Sequence, residues 1–247
     1  MTPLKRLARI AGFFYLIVGI FGGFAEGFVE PKMYVAGNAA ATAGNVVANA
    51  GLLRLGVVAD LLDGTFFVFT ALALYKLFKD VHWSAARSML VFVVLAAAIT
   101  CMSAVFEFEG LRVATGGVNA VSLGTGGSNA VVLLLLDAQH YGLLIAQIFF
   151  GLWLAPLGYL AYKSGWFPKA LGVLLVVASG CYLVDMLAAF LAPGFDQKIH
   201  ALIVIPCAVA ETWMVCYLLI VGVRSARPTA RVVSSDAVLP QAVASRA

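Results

Sequence analysis

The chain has 247 residues, of which 63% are hydrophobic and 11% are charged, and its formal net charge is +4. Soluble domains contain roughly 45–50% apolar and about 25% charged residues, so this composition excludes an ordinary soluble protein and indicates a polytopic membrane protein. The positive charge does not indicate nucleic-acid binding, because the basic residues are dispersed among predicted helix ends and the C-terminal tail.

Six apolar stretches provide the roughly 20 residues that an α-helix needs to cross a bilayer. We therefore predict an all-α bundle of six transmembrane helices that forms one membrane domain, residues 1–224. The predicted spans are residues 10–29, 52–78, 85–108, 135–162, 170–191 and 201–223. The remaining residues, 225–247, are rich in Ser, Ala, Arg and Pro, a composition that predicts a disordered cytoplasmic tail.

The first span begins with basic residues and continues into an apolar core, as a signal peptide does. We predict a retained helix instead, because Gly19, Gly23 and Gly27 recur every four residues. This small-residue spacing allows membrane helices to approach each other closely. The stripe is therefore predicted to serve helix packing.

The segments between spans contain helix-capping residues. Between the first and second spans, Asn38 as an N-cap and Gly51 as an end predict a short surface helix. Between the fourth and fifth spans, Gly165 is predicted to end one helix and Pro168 to lie in the first turn of the next, which makes a tight hairpin.

Basic residues predict the orientation of the bundle. With both termini cytoplasmic, only four of the 16 lysines and arginines fall outside: Lys32, Arg54, Arg112 and Lys198. Because basic residues concentrate in cytoplasmic loops, the sequence predicts an N-in, C-in topology.

The second span carries three charged residues. A charge near the middle of a bilayer costs roughly 2.5–3.5 kcal/mol on insertion scales, so charged side chains there indicate a polar site. Asp60 and Asp63 are three positions apart and share a helix face, at roughly 12 and 16 Å from the outer end of the span. Arg54 lies about two turns above them, and its long side chain can reach the outer interface.

Acidic residues of other spans fall in the same half of the membrane. Glu211 lies about 15 Å into the sixth span, near the midplane of a core roughly 30 Å thick, where a carboxylate must be paired, hydrated or protonated. Asp185 lies toward the outer end of the fifth span. Glu26 and Glu107 lie at the outer ends of the first and third spans, where solvated side chains are expected. Together with the two aspartates of the second span, these residues predict a water-accessible acidic cavity that faces outward.

Structural interpretations of the same residues stay open. Either aspartate of the second span can form a buried ion pair with Arg54 or Arg112. His140 and His200, with a carboxylate, permit a zinc site, although histidines near the interface are more often hydrogen-bonded surface residues. The four cysteines lie in apolar runs without CxxC spacing, which predicts buried free thiols.

Several stretches together carry a resemblance: RIAGFFYLIVGI, GNAAATAGNVVANAGLLRLGVVADLL, HYGLLIAQIFFGLWLAPLGYLAYKSGWFPKALGVL, YLVD and AETWMVCYLL. With them the chain resembles a bacterial family of six-helix membrane proteins catalogued as domain of unknown function 4386. The resemblance implies a six-helix fold and a multi-pass location in the bacterial cytoplasmic membrane. It also places Arg54, Asp60, Asp185 and Glu211 on recurrent polar positions of the family, but it implies no activity.

These features support three functional hypotheses. The first is a small carrier or ion-coupled binding protein, in which Glu211 and Asp60 take up protons or a cation and the cavity admits a small ligand. The second is an accessory or scaffold protein whose buried charges determine helix packing. The third is an intramembrane hydrolase with zinc bound by His140, His200 and a carboxylate. We predict no cofactor for the first two, and the lipid bilayer as the partner.

Overall fold

A computed structural model describes residues 2–117, 124–192 and 196–224, without the side chains of residues 196–201. The predicted disordered tail lies outside the described residues. Within them the elements are helical: α1 (Pro3–Phe24), a π-helical turn (Ala25–Val29), α2 (Glu30–Met33), α3 (Ala39–Ala48), α4 (Ala50–Phe78), α5 (Trp83–Ala114), α6 (Gly124–Ser164), α7 (Lys169–Leu191) and α8 (Asp196–Ile220).

Six helical segments in the described part of the chain are long and apolar enough to cross a membrane, which confirms the predicted all-α bundle. The first segment, Pro3–Met33, joins α1, the π turn and α2, and the last is the Leu202–Ile220 part of α8. The other four are α4, α5, α6 and α7. Their orientation in the membrane stays a prediction.

The six spans pack as a closed ring in chain order. Each span packs on the next along the chain, and α8 returns to pack on α1. Aromatic side chains fill the centre of this ring. Trp153 of α6 makes edge contacts with Tyr15 of α1, at 5.4 Å between ring centroids, and with Phe67 of α4, at 5.0 Å. Because lipid supplies little hydrophobic drive for helix association, such side-chain packing and polar contacts must hold the ring together.

The predicted surface helix between the first two spans is α3. Asn38 caps it as predicted, since its side-chain oxygen accepts a hydrogen bond from the backbone N–H of Ala41 at 3.0 Å. The predicted end at Gly51 is wrong, because Asn49 leaves the helical conformation at φ −119° and ψ 28° and Gly51 lies inside α4. Asn49 therefore turns the chain from α3 directly into the second span.

Glycines bring α6 and α7 into close contact. A Cβ built on Gly158 would lie 2.6 Å from the carbonyl oxygen of Gly172, and one on Gly172 would lie 2.8 Å from that of Gly158. Gly165 ends α6 at a φ of 68°, in the left-handed region that favours glycine. Pro168 takes the N-cap position of α7, one place before the first turn predicted for it.

Replacing Gly158 with alanine should lower the free energy of unfolding by about 1–3 kcal/mol, because the added methyl group would overpack against the α7 backbone. Gly180→Ala on α7 is the matched control, since nothing lies within 4 Å of a Cβ built there. That control should be neutral or stabilising by about 0.5–1 kcal/mol. Thermal unfolding of the detergent-purified variants compares the two, and equal midpoints would contradict the close helix contact.

Among the described residues, no other helix packs against the glycine stripe predicted for the first span. Nothing lies within 4 Å of a Cβ built on Gly19, Gly23 or Gly27. Other glycines of α1 make the close contacts: a Cβ on Gly12 would lie 2.8 Å from the Leu218 side chain of α8. The spacing of the glycines shows that a face is small, but the positions of α4 and α8 decide which face of α1 is buried.

Candidate functional site

Acidic side chains occupy a layer between two apolar clusters. The main cluster fills the half of the bundle that contains the N-terminus of α1 and includes Phe67, whereas a smaller cluster beside α3 includes Leu53 and Leu111. On α4, Asp60 and Asp63 lie between Leu53 and Phe67. The acidic layer, as we define it, consists of Glu26, Glu30, Asp60, Asp63, Glu107 and Glu211.

Three members of the layer are enclosed by protein, whereas Glu26 is exposed and Glu30 and Glu211 are half-buried. The exposed fraction is 3% for Asp60 and 5% for both Asp63 and Glu107. Leu53 and Leu111, one to two turns nearer the end of the bundle, separate these carboxyls from that end. The expectation of a cavity open to water is therefore not met at these residues, and Glu107 is not the solvated end of a span, because α5 continues to Ala114.

A cavity of about 690 Å³ lies elsewhere, between α3, the end of α5 and the start of α6. Small and apolar residues such as Ala43, Val47 and Val113 line much of it, with Ser128 and Asn129 among its polar residues. The acidic layer contributes no side chain to this lining.

The carboxyl groups of Asp60 on α4 and Glu107 on α5 lie within hydrogen-bonding reach of each other. Two ionised carboxylates are both acceptors, so a hydrogen bond between them requires that one carries a proton. Asp60 Oδ1 and Glu107 Oε2 are buried and have no hydrogen-bond partner among the described residues. Since a buried unpaired polar atom costs about 1–3 kcal/mol, the pair is costly to maintain.

Glycines of neighbouring helices make room for these acids. A Cβ built on Gly56 would lie 3.4 Å from Glu107 Oε1, and one on Gly22 of α1 would lie 3.2 Å from Asp63 Oδ1. Asp63 interacts electrostatically with Asp60 and with Glu211. Asp63 is therefore within electrostatic range of both the Asp60–Glu107 pair and Glu211 of the sixth span.

Glu211 is held by two tyrosines. The hydroxyl of Tyr15 on α1 donates a hydrogen bond to Oε2 at 2.6 Å, and the hydroxyl of Tyr182 on α7 donates one to Oε1 at 2.7 Å. This clamp, Tyr15–Glu211–Tyr182, joins α8 to both of its neighbours in the ring. The two tyrosines are not identifiable from the sequence, because a phenolic side chain in an apolar run gives no signal of its partner.

The π turn brings a further carboxyl to the layer. A π turn inserts one extra residue into a helix and frequently occurs at functional sites. The turn Ala25–Val29 carries Glu26, which interacts electrostatically with Asp63 and Asp60. Hydrophobic periodicity cannot reveal a single-turn insertion of this kind.

At the α3 end, polar contacts join the first span to α6. His140 Nδ1 lies 2.6 Å from Glu30 Oε1, and the Tyr34 hydroxyl donates a hydrogen bond to Asp137 Oδ1 at 2.5 Å. Burial and the hydrogen bond to Asp137 raise the pKa of the Tyr34 hydroxyl above its usual value, so the hydroxyl remains a donor. Asp185, a predicted site residue, accepts a hydrogen bond from Gln147 Nε2 of α6 at 2.8 Å.

Arg54 and Arg112 do not pair with the aspartates of the layer. Arg112 pairs with Glu109 at 2.7 Å on the surface, and Arg54 is exposed. Within the described part of the chain, neither arginine forms a salt bridge with Asp60 or Asp63. The structural ion pair considered from the sequence is therefore not formed by these residues.

The zinc site predicted from His140 and His200 stays a prediction. The side chain of His200 lies outside the described residues, and one ring nitrogen of His140 is engaged by Glu30. Among the side chains that the structure describes, no group of three or more His, Cys, Asp or Glu is arranged to hold a metal ion.

Comparison with known proteins gives a family and no activity. The family described as "Domain of unknown function (DUF4386)" matches residues 10–222. A stretch of 55 residues is 47% identical to an uncharacterized protein of Archaeoglobus fulgidus and covers 22% of this chain. The match spans about a third of that relative, 34% of its length. No solved structure matches the chain.

Proposed function

Because the chain belongs to the DUF4386 family, whose description assigns no activity, we propose a function from the site itself: a small membrane carrier or ligand-binding protein whose acidic layer takes up protons or a cation. Its proposed location is the bacterial cytoplasmic membrane, in the N-in, C-in orientation that the basic residues favour.

The observation that carries this proposal is the enclosed Asp60–Glu107 pair. Its two carboxyls lie within hydrogen-bonding reach, and one oxygen of each is buried without a partner among the described residues. An ionised carboxylate in a low-dielectric interior is costly unless a proton, a cation or a basic side chain compensates it. Among the described side chains, Arg54 and Arg112 do not provide this compensation, which supports a proton or a bound cation as its source.

The neighbouring features suit a carrier. Transport proteins place their sites at interrupted helices near the middle of the membrane. Here the π turn interrupts the first span, and Pro206 lies inside α8, five residues before Glu211. We assign Asp60 and Glu107 to proton or cation exchange, with Asp63 as the adjacent acceptor. Arg54, Asp185 and the Glu211 clamp are further candidates for contacts with a ligand.

Infrared spectroscopy of the protein in lipid films tests this function through the carbonyl band of protonated carboxylic acids. At neutral pH the wild type should show such a band, because the pair can hydrogen-bond only by sharing a proton. The band should change reversibly when the perfusing buffer is changed in pH or in Na⁺ or K⁺ concentration. The double variant Asp60→Asn, Glu107→Gln should lose the band, whereas Glu109→Gln, an exposed acid on the same helix, should keep it.

A wild-type band that is absent, or that does not respond to protons or cations, would contradict the proposed exchange. The scaffold hypothesis is the second candidate, and the clamp that joins three helices supports it. The hydrolase hypothesis has no supporting geometry among the described side chains. Elemental analysis tests it, since near-stoichiometric zinc that is lost in an Asp60→Ala, Glu211→Ala variant would favour a hydrolase.

A further inference from the structure

His140 is held in a defined orientation at the α3 end of the bundle. Its ring stacks on Tyr34, with 5.1 Å between centroids and 25° between planes. Tyr141 packs against it edge-on at 5.5 Å. Its Nδ1 lies 2.6 Å from Glu30 Oε1, at charge-assisted hydrogen-bond distance. These contacts place Nδ1 of the ring against Glu30.

In the pair formed by His140 and Glu30, one side chain is more exposed than the other. The side chain of His140 is 35% exposed and that of Glu30 is 20% exposed. Glu30 also interacts electrostatically with both Asp60 and Glu107, which are enclosed. Glu30 thus contacts a partly exposed imidazole and lies within electrostatic range of the enclosed acid pair.

We propose that the His140–Glu30 pair is the proton entry point of the acidic layer. This proposal rests on the proposed function and adds that the exchanged ion is the proton and that it enters from the α3 end. An imidazole suits this position, because the unperturbed pKa of histidine is closer to neutral pH than that of any other side chain.

The transfer conserves protons at each step. The free ring nitrogen of His140 takes a proton from water, and Nδ1 releases its own proton to Glu30 Oε1. The protonated Glu30 carboxyl then passes a proton to the Asp60–Glu107 pair and becomes a carboxylate again. One proton enters from the solvent, one proton reaches the layer, and Glu30 is a carboxylate again. The neutral imidazole then carries its proton on the other ring nitrogen, and proton exchange with water restores the first tautomer.

The surroundings of the pair are mainly acidic or phenolic. Among the described residues, the titratable groups in contact with the pair or its partners are Tyr34 after α2 and Asp137 and Tyr141 of α6. Those that interact electrostatically with Glu30 include Glu26 of the π turn, Asp60 of α4 and Glu107 of α5. The nearby cation of Lys32 lies over the ring of Phe28, at 3.8 Å from its centroid. A cluster of acidic groups attracts protons to this end of the bundle.

The test is the rate at which the layer becomes protonated after a pH jump, followed by the infrared carboxyl band of the full-length protein in detergent. His140→Gln can still hydrogen-bond to Glu30 but cannot carry a proton. Positioned proton-transfer groups contribute roughly 10²–10⁴-fold to rates, so we expect protonation to slow by at least about tenfold, with the final amplitude unchanged. Free imidazole in the buffer should restore much of the rate, and Glu30→Gln should slow protonation without such rescue.

His82→Asn is the matched control at the opposite end of the bundle. His82 caps α5 by accepting a hydrogen bond from the backbone N–H of Ala85, and asparagine can also cap a helix. This variant should keep the wild-type rate. An unchanged rate in His140→Gln, or a slower rate that imidazole does not restore, would overturn the entry role while the layer still protonates. A wild type whose carboxyl band changes neither after the pH jump nor with Na⁺ or K⁺ concentration would overturn the proposed function as well.

Discussion

Replacing Tyr15 and Tyr182 together with phenylalanine is expected to lower the free energy of unfolding by about 3–5 kcal/mol, because Glu211 would lose both hydroxyl donors while remaining between helices. The two hydroxyls donate to different oxygens of the carboxyl, at 2.6 and 2.7 Å. Each single replacement should have a smaller effect, since one donor would remain. Denaturation of the purified protein in mixed micelles measures these differences.

The triple variant that adds Glu211→Leu should recover much of the lost stability. Removing an acceptor together with both of its donors leaves no unsatisfied group, whereas removing only the donors leaves one. Tyr162→Phe is a suitable control, because Tyr162 is exposed on α6. If the Tyr15→Phe, Tyr182→Phe double variant unfolded at the wild-type midpoint, the clamp would not contribute to ring closure.

Neutralising the acid pair is expected to have the opposite effect on stability. The double variant Asp60→Asn, Glu107→Gln should raise the free energy of unfolding. The expected gain is about 1–3 kcal/mol for each buried oxygen that acquires a hydrogen-bond partner in the variant. Two amides can hydrogen-bond to each other without a shared proton. The same variant should lose proton or cation exchange, as expected where a functional site is maintained at the expense of stability.

The direction of this change in the free energy of unfolding distinguishes a functional acidic layer from a structural one. If the pair were structural, neutralising it should lower the unfolding midpoint and leave no exchange to lose. Glu109→Gln provides the control, because it removes one acid from α5 at a surface position where Glu109 pairs with Arg112. A surface ion pair contributes about 0–1 kcal/mol, so this control should change the midpoint little.

The six spans were predictable from the sequence, because the length of an apolar run is a local property and the bilayer sets the length required. Asn38 and Gly165 were predictable for a similar reason, since caps depend on residues within one turn. Asp60, Asp63 and Glu211 could be identified as candidates because a charge in an apolar run stands out in a single sequence. The composition and charge pattern of this chain thus determine its class, its number of spans and a short set of unusual carboxyls.

The partners of those carboxyls were decided by the tertiary structure. Tyr15 and Glu211 are 196 residues apart, and His140 and Glu30 are 110 residues apart, so no local pattern relates them. Burial of Glu107 likewise depends on the apolar cluster that packs beyond it. A side chain's environment in a bundle is set by helix rotation and by the close contacts that glycines allow, and both result from packing between segments distant in the chain.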